Sequence, residues 1–391
     1  MPILCGPAVR TGDACLSIGG QVRAADDLHA TAQMLDNDPA ETLVVIGPET
    51  ATSEALAFAA ALRLARPTVG VILARDQVDV ALLTRALQSG VREVVSADDP
   101  AAVSAACRRS HDVSQRLLTA ANSEDGEPAR DGRIITVFAA KGGCGKTTLA
   151  INLAVVLARD TGLRVCVVDL DLAFGDVAIS VQLDPARTMV DALPMAGHVD
   201  TAGALSLLTR YGPGLEMLLA PVAPGDAEKV PPALVGELLA VFRGMFDYVV
   251  VDTPAQFSEH VLIAMDNSAH HVLLTTPDVP ALKNLRVTLD MLDMLSYPRE
   301  IRAVVLNRSD SKVGLTAEDV ERVVRCPIAA HIPSSRAVPV SINKGTPITL
   351  ATPEHPVSQA ITRFAQEWLY EATVPAPRGL LTRRRVRRRS A

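Results

Sequence analysis

The residues with the clearest chemical meaning lie in one short segment, residues 141–148, which reads KGGCGKTT. A loop that wraps a triphosphate must bring successive backbone N–H groups against phosphate oxygens, and side chains there would obstruct the approach. Glycines remove this obstruction and permit the unusual backbone dihedrals that such a loop needs. The segment supplies Gly142, Gly143 and Gly145, together with the small side chain of Cys144. These residues predict a phosphate-binding loop.

The polar side chains at the end of the segment supply the groups that this chemistry requires. Lys146 is expected to reach the β- and γ-phosphate oxygens, and the hydroxyl of Thr147, beside Thr148, is expected to bind Mg²⁺. An apolar strand is predicted before the loop, at 134–139, and a helix after it, at 147–159. That helix would direct its partially positive end at the anion. The sequence therefore predicts a site for ATP and Mg²⁺.

Two further apolar runs end in aspartate. Asp169 and Asp171 follow a predicted strand at 164–168, and Asp252 follows another at 247–251. The carboxyl ends of parallel strands meet at one edge of an open α/β sheet, which is where ligands bind. Asp252 has the Walker B arrangement and is expected to hold Mg²⁺ through water. A single aspartate at a strand end is often only a helix cap, but three in phase with the loop favour one site.

Short apolar runs alternate with helical patterns along nearly the whole chain, which predicts parallel sheets covered by helices. The pattern predicts an α/β domain at 1–118, a polar linker at 119–132, a second α/β domain at 133–372 and a Pro/Arg-rich tail at 373–391. In the first domain strands are predicted at 42–47, 68–74 and 91–96, with weaker candidates at 2–5 and 14–18, and helices at 53–66, 77–89 and 100–118. In the second domain the remaining strands are predicted at 214–219, 271–275, 302–306 and 328–332, and further helices at 280–296 and 356–371.

Composition limits the classes of function. The chain has 391 residues, of which 48% are hydrophobic and 21% charged, which is typical of globular proteins. Its formal net charge is −6, and removing the seven arginines of the last fourteen residues leaves −13 for the rest. So acidic a body is a poor match for a nucleic-acid coat, and nucleic acid is not an expected partner.

The six cysteines form no CxxC pair and accompany no histidine at metal-ligand spacing, which predicts neither a disulfide framework nor a zinc site. The first residues lack the pattern of a secretion signal, and no run approaches the length of an apolar membrane span. A cytoplasmic protein is therefore expected.

The loop departs from the common G-x-x-x-x-G-K-[ST] form because Lys141 stands at its first position. In this it resembles the deviant Walker A family of ATPases, which includes MinD, ParA and the nitrogenase iron protein. The resemblance implies an ATP-dependent homodimer in which Lys141 crosses to the partner's phosphates and acts as a second catalytic cation. It also implies that Asp171 positions or activates the attacking water and that Asp169 supports the switch loop. Finally, it implies that Asn307 contacts adenine and that a segment with Pro333 packs on the base.

The order of the two predicted domains resembles the CpaE (TadZ) group of Flp/Tad pilus assembly ATPases, closest to its actinobacterial members. The resemblance covers about 40 to 370 and is dense at 169–176, 246–254, 275–288 and 332–347. It implies a degenerate receiver-like (flavodoxin-like) domain followed by a P-loop NTPase domain with a mostly parallel sheet. It further implies a slow ATP hydrolase that localises or assembles a pilus machine, with pilus assembly proteins at the inner membrane as partners. The predicted strand at 42–47 is followed by Pro48 and not by a phosphoacceptor aspartate, so we interpret the first domain as a docking or localisation module.

Other functions stay open. A nitrogenase-type protein is disfavoured because the switch segment 252–260 has no cysteine. ParA-like DNA partitioning is disfavoured by the acidic body. A MinD-like division-site regulator would want a strongly apolar amphipathic tail, and the tail here offers only Leu380, Leu381 and Val386. The arginines within Arg383–Arg389 could nevertheless contact an anionic membrane, placing the protein peripherally at its inner face. A binding module without hydrolysis is a further alternative.

Overall fold

The structure, a computed structural model, describes residues 2–6, 22–123, 131–159, 163–223, 225–311, 315 and 317–370. The predicted strand at 14–18 and the predicted tail at 373–391, including Arg383–Arg389, lie outside these residues. None of the described helices has both the length and the apolar character that crossing a bilayer requires.

The first sheet is built from five parallel strands in the order β2-β1-β3-β4-β5. Its strands are β1 (Ile3–Cys5), β2 (Arg23–Ala25), β3 (Leu43–Ile46), β4 (Gly70–Arg75) and β5 (Val91–Ser96). Its helices are α1 (Leu28–Asn37), α2 (Thr52–Ala65), α3 (Val80–Gln88) and α4 (Pro100–Ser123). The strands β1, β3 and β4 are wholly buried because an apolar cluster covers each face of the sheet, whereas the edge strand β2 is partly exposed. This strand order is that of flavodoxin-like folds, as predicted.

A buried arginine occupies the carboxyl edge of this sheet. Arg75, at the end of β4, is 6% exposed and donates hydrogen bonds to the carbonyl oxygens of Gly47 at 2.7 Å and Thr50 at 3.0 Å. Burial lowers the pKa of this guanidinium. After β3 the chain continues through Gly47 and Pro48, so no acidic residue follows this strand directly. The carboxyl edge of the sheet holds the cation of Arg75.

The second sheet has eight strands in the order β13-β12-β11-β6-β10-β7-β9-β8, and all neighbours are parallel except β8 and β9. Its strands are β6 (Arg133–Phe138), β7 (Val165–Asp169), β8 (Thr209–Gly212), β9 (Leu215–Leu218), β10 (Tyr248–Asp252), β11 (His270–Thr275), β12 (Arg302–Asn307) and β13 (Ile328–Ile332). Its helices are α5 (Lys146–Ala158), α6 (Val177–Ser180), α7 (Thr201–Leu207), α8 (Pro232–Met245), α9 (Glu259–Asp266), α10 (Val279–Met294), α11 (Ala317–Val324), α12 (Ala337–Asn343), α13 (Ile348–Ala351) and α14 (Pro356–Phe364). Helices cover both faces of this sheet. Because both sides of each central strand are therefore buried, these strands are rich in consecutive apolar residues.

Some element boundaries differ from the prediction. Helix α4 continues through Ser123, into the segment predicted as a linker, because residues 119–123 contain two alanines and no glycine or proline. The helix predicted at 356–371 is divided into α14 and a π-helical turn at Ala365–Tyr370. Strands β2 and β8 were not predicted, since their short sequences, RAA and TRYG, contain neither an apolar run nor a clear alternation.

The two sheets are joined by contacts of α2, α4 and β5 with the segment that follows β7. Glu93 of β5 forms an ion pair with Arg187 at 3.3 Å, and Arg63 of α2 forms one with Asp200 at 2.6 Å. Val113 of α4 is buried in an apolar cluster of the second sheet. The first unit therefore contacts the chain between β7 and β8.

Candidate nucleotide-binding site

The glycine-rich segment forms the turn between β6 and α5. Gly145 is the N-cap of α5 and has a φ of 97°, in the left-handed region that favours glycine. A Cβ there would lie 2.7 Å from Nδ2 of Asn307, so space as well as conformation requires glycine. Since a glycine has no side chain to cap the helix, the first N–H groups of α5 are available to an anion.

Aspartates lie side by side at the carboxyl ends of β7 and β10, next to the end of β6. The strand register sets Asp252 of β10 beside Val137 of β6 on one side and Asp169 of β7 on the other. Asp169 is 1% exposed and accepts hydrogen bonds from the backbone N–H groups of Asp171 and Val177, both at 3.2 Å. Asp171 lies two residues after Asp169, is half-buried, and accepts a hydrogen bond from the backbone N–H of Phe174.

The carboxylate of Asp252 is fully buried, and neither of its oxygens makes a hydrogen bond of ordinary geometry with a described residue, although the Thr147 hydroxyl and the Thr253 backbone N–H lie close enough to act on it. Burial raises the pKa of Asp252 to about 7, and the Thr147 hydroxyl and the nearby Lys146 ammonium offset only part of that effect. Burial also raises the pKa of Asp169, and the charge of Asp252 adds to the increase. An unpartnered carboxylate beside the loop that carries the Thr147 hydroxyl is a donor set that fits Mg²⁺, which prefers oxygen ligands.

Lys141 contacts a residue that sequence analysis did not single out. Its Nζ lies 2.7 Å from Oδ1 of Asp278, which is the N-cap of α10 and also accepts a hydrogen bond from the Thr276 hydroxyl. Although burial favours the neutral acid, the hydrogen bonds from Lys141 and Thr276 hold the pKa of Asp278 below its ordinary value. The sequence signal for Asp278 was the order Asp-Val-Pro before a helical pattern, which is typical of a helix start.

A cavity of about 520 Å³ lies at the carboxyl ends of β12 and β13, next to the loop. Gly145, Thr148, Asn307 and Pro333 are among the residues that line it. Asn307 donates a hydrogen bond from Nδ2 to the carbonyl oxygen of Cys144 at 2.7 Å, so in this structure it holds the loop.

Arg308 also supports the loop and was not predicted as a site residue. Its Nη2 donates a hydrogen bond to the carbonyl oxygen of Gly143 at 3.2 Å, and its φ of 55° is unusual for a residue with a side chain. The structure thus places every predicted site residue at one edge of the second sheet. They lie at the ends of β7, β10 and β12, in the loops that follow β6, β7 and β13, or in the first turn of α5.

A strand, a glycine-rich loop and a helix, with aspartates at the ends of neighbouring parallel strands, define a P-loop nucleotide-binding protein. Residues 135–348, more than half of the chain, match the family model described as the CobQ/CobB/MinD/ParA nucleotide binding domain. The chain belongs to this family.

Individual relatives agree with this assignment. The septum site-determining protein MinD of Thermotoga maritima is 29% identical over 231 residues, which are 56% of this chain and 82% of that protein. An uncharacterized ATP-binding protein of Methanocaldococcus jannaschii is 26% identical over 243 residues, which are 61% of this chain and 89% of that protein. The structure of MinD from Pyrococcus horikoshii, complexed with Mg-ADP, is 25% identical with a TM-score of 0.55 and covers 62% of this chain and 98% of its own.

Proposed function

We propose that this protein is a slow Mg·ATP-dependent ATPase that forms a homodimer around its nucleotide. The observation that carries the proposal is the buried, unpartnered Asp252 carboxylate beside a glycine-rich loop at the edge of the sheet. A buried carboxylate with few hydrogen bonds destabilises the folded protein, and a cation bound nearby would offset that cost. The Mg-ADP complex of the Pyrococcus horikoshii relative supports the same choice of ligand.

The proposed roles follow from position. Lys146 and the N–H groups at the start of α5 bind phosphate oxygens, and Asn307 and Pro333 lie at the base. Thr147 and, through water, Asp252 hold Mg²⁺, which when bound neutralises charge on the β- and γ-phosphates. Asp169 supports this edge of the sheet. Its carboxylate accepts hydrogen bonds from the backbone N–H groups of Asp171 and of Val177, the first residue of α6.

Hydrolysis in this scheme needs little covalent help from the protein. Asp171 is half-buried at the end of β7, where its carboxylate would orient a water in line with the γ-phosphate. Lys141 would leave Asp278 on dimerisation and approach the partner's phosphates, supplying a cation where negative charge develops.

We further propose that the chain divides into a docking domain at 1–118, a linker at 119–132 whose first five residues continue helix α4, the ATPase domain at 133–372 and a tail at 373–391. The ATP cycle would localise or assemble a Flp/Tad-type pilus machine at the inner face of the cell membrane. Support comes from the resemblance to the CpaE (TadZ) group and from a flavodoxin-like first sheet whose carboxyl edge holds Arg75.

A MinD-like division-site regulator is the second candidate, favoured by the similarity to the Thermotoga maritima MinD. Fluorescence microscopy of a tagged chain distinguishes the two roles. A pilus role predicts foci that are lost when pilus assembly genes are deleted, whereas a division role predicts septal or polar patterns that survive this deletion.

Nucleotide binding and phosphate release by the full chain test the ATPase proposal. Lys146→Ala should weaken binding of a fluorescent ATP analogue at least about tenfold, because the phosphates lose their main cation. Asp171→Ala should retain binding and lose phosphate release. Lys229→Ala, at an exposed lysine that pairs with Asp226, is the matched control. Absence of nucleotide binding by the unaltered chain would contradict the proposal.

A further inference from the structure

A groove of about 720 Å³ lies at the opposite end of the second sheet from the nucleotide site. Arg302 at the start of β12 and Ile328 at the start of β13 both line it, whereas the nucleotide site lies where these strands end. Part of its wall is apolar, formed by Val324, Ile328 and Trp368 among others. A cavity of this size accommodates several side chains of a ligand.

The groove carries excess positive charge, because four arginines line it against two carboxylates: Arg286, Arg299, Arg302 and Arg325 against Asp293 and Glu300. Arg299 and Arg302 share one carboxylate, that of Asp293, at 2.5 Å and 2.6 Å. The Arg302 side chain is only 5% exposed, yet its Nε has no hydrogen-bond acceptor among the described residues. Arg325 is exposed at the rim, and no described carboxylate forms an ion pair with it. A buried, unpartnered guanidinium N–H is costly and is satisfied by an anionic ligand.

The groove also includes a strand edge. β13 is the last strand of the sheet, and β12 is the only described strand that pairs with it. Ile328 and Ala329 of this strand line the groove and are half-buried. A strand edge beside side-chain pockets is the arrangement by which an extended peptide is captured, through backbone hydrogen bonds and alternate side chains.

We propose that this groove is a docking site for an acidic, extended segment of a partner protein. Its carboxylates would pair with Arg299, Arg302 and Arg325, while its apolar side chains would pack beside Trp368. The chain's own C-terminal residues do not suit the groove, since seven of the last fourteen are arginine. A lipid headgroup would satisfy the arginines but would leave the strand edge unused. The site is separate from the nucleotide site and extends the function proposed above.

Trp368 is the only tryptophan of the chain, so its fluorescence reports directly on this groove. The full-length protein is titrated with a short capped peptide in which glutamates alternate with valines and leucines. A peptide with lysines in place of the glutamates is the charge control, and vesicles containing phosphatidylglycerol test a lipid ligand. We expect a saturable shift of tryptophan emission with the glutamate peptide alone.

Charge reversal at the exposed rim supplies the matched variants. The double variant Arg299→Glu, Arg325→Glu should weaken peptide binding at least about tenfold, because attraction becomes repulsion. Arg322→Glu changes an equally exposed arginine outside the groove and should bind the peptide unchanged. Lys146→Ala should also bind it unchanged, which separates this test from that of the ATPase.

Several results would overturn the proposal. One is the absence of any fluorescence shift up to about 1 mM glutamate peptide. Another is an equal response to the lysine peptide or to vesicles alone, which would indicate an apolar or lipid site. Equal weakening by Arg322→Glu would show that only overall charge matters. Self-association of the chain through this groove, detected as loss of dimers in the double variant without peptide, would assign it to a second copy instead.

Discussion

Asp252 has an environment that folding alone explains poorly. A fully buried carboxylate normally accepts several hydrogen bonds, and removing it from water without them costs several kcal/mol. Neither oxygen of Asp252 makes a hydrogen bond of ordinary geometry with a described residue, while Asp169 on the neighbouring strand has two backbone donors. In the function proposed above, Asp252 is kept for a cation, whereas Asp169 organises the turn beside it.

The first prediction follows from this difference. Asp252→Asn should stabilise the protein without nucleotide by about 1–3 kcal/mol at pH 8, because it removes a buried, unpartnered charge. The same variant should lose the additional stability that Mg·ATP confers on the unaltered chain. Urea unfolding with and without Mg·ATP measures both effects, and Asp36→Asn, at an exposed position of α1, is the control. Destabilisation of the nucleotide-free protein would contradict this account of Asp252.

His271 carries a prediction about pH. It is fully buried at the second residue of β11, where Nε2–H donates to the Met265 carbonyl oxygen at 3.0 Å. The Tyr297 ring lies edge-on to it at 5.1 Å, and the charges of Arg302 and Asp266 also act on it. Burial lowers the pKa of His271, and the Arg302 charge lowers it further.

Because the folded pKa lies below the ordinary value of 6.5, the folded protein binds fewer protons than the unfolded chain as the pH falls. Stability from this residue is therefore complete above about pH 6.5 and is lost as the pH falls below it. His271→Gln should reduce the slope of unfolding free energy between about pH 7 and pH 5. His29→Gln, at an exposed position, should leave the slope unchanged. An unaltered slope in His271→Gln would show that another group, such as His270, dominates.

At the scale of elements, the parts that sequence predicts are those with local signals. β6, β7, β10 and β11 are continuous apolar runs, and the glycine-rich loop is readable because its residue types are restricted by the backbone it must adopt. The contacts of Lys141 with Asp278 and of Arg308 with Gly143 link residues more than a hundred positions apart, so they depend on the packing of strands and carry no local pattern. Helix α4 was predicted too short because helix ends depend on capping more than on periodicity.

Substitution of Gly145 tests whether the loop conformation requires a glycine at this position. Gly145→Ala should cost about 1–3 kcal/mol of stability, since it combines a φ of 97° with a Cβ 2.7 Å from the Asn307 amide. It should also weaken nucleotide binding strongly, because the loop must shift. Gly244→Ala, in α8 with no atom near the added Cβ, is the matched control and should be neutral or stabilising. Equal effects of the two substitutions would contradict the strained geometry.

At the scale of the whole molecule, the first unit rests on the chain that leads away from the nucleotide site. Glu93 is buried and bridges Arg109 of its own unit, at 2.5 Å, to Arg187 of the other, at 3.3 Å. Arg187 follows α6, whose first N–H donates to Asp169. A short stretch of chain, from Val177 to Arg187, therefore links the contact between the two units to Asp169 at the nucleotide site.

Loss of this bridge should loosen the two units. Glu93→Ala should destabilise the protein by about 2 kcal/mol, less than a fully buried pair would lose because Arg109 is partly exposed. Calorimetry should show two separated transitions in place of overlapping ones, while Glu54→Ala, at an exposed position of α2, should change neither. A single unshifted transition in Glu93→Ala would show that the apolar contacts of α4 alone hold the units together.

The central claim is that Lys141 acts across a dimer formed around ATP. The most direct measurement is the mass of the full-length protein by light scattering, with Mg²⁺ and a non-hydrolysable ATP analogue, for the unaltered chain and for Lys141→Ala. We predict a dimer for the unaltered chain and a monomer for Lys141→Ala, with nucleotide binding retained in both. An unaltered chain that stays monomeric with nucleotide bound, or a Lys141→Ala variant that dimerises equally well, would contradict the claim.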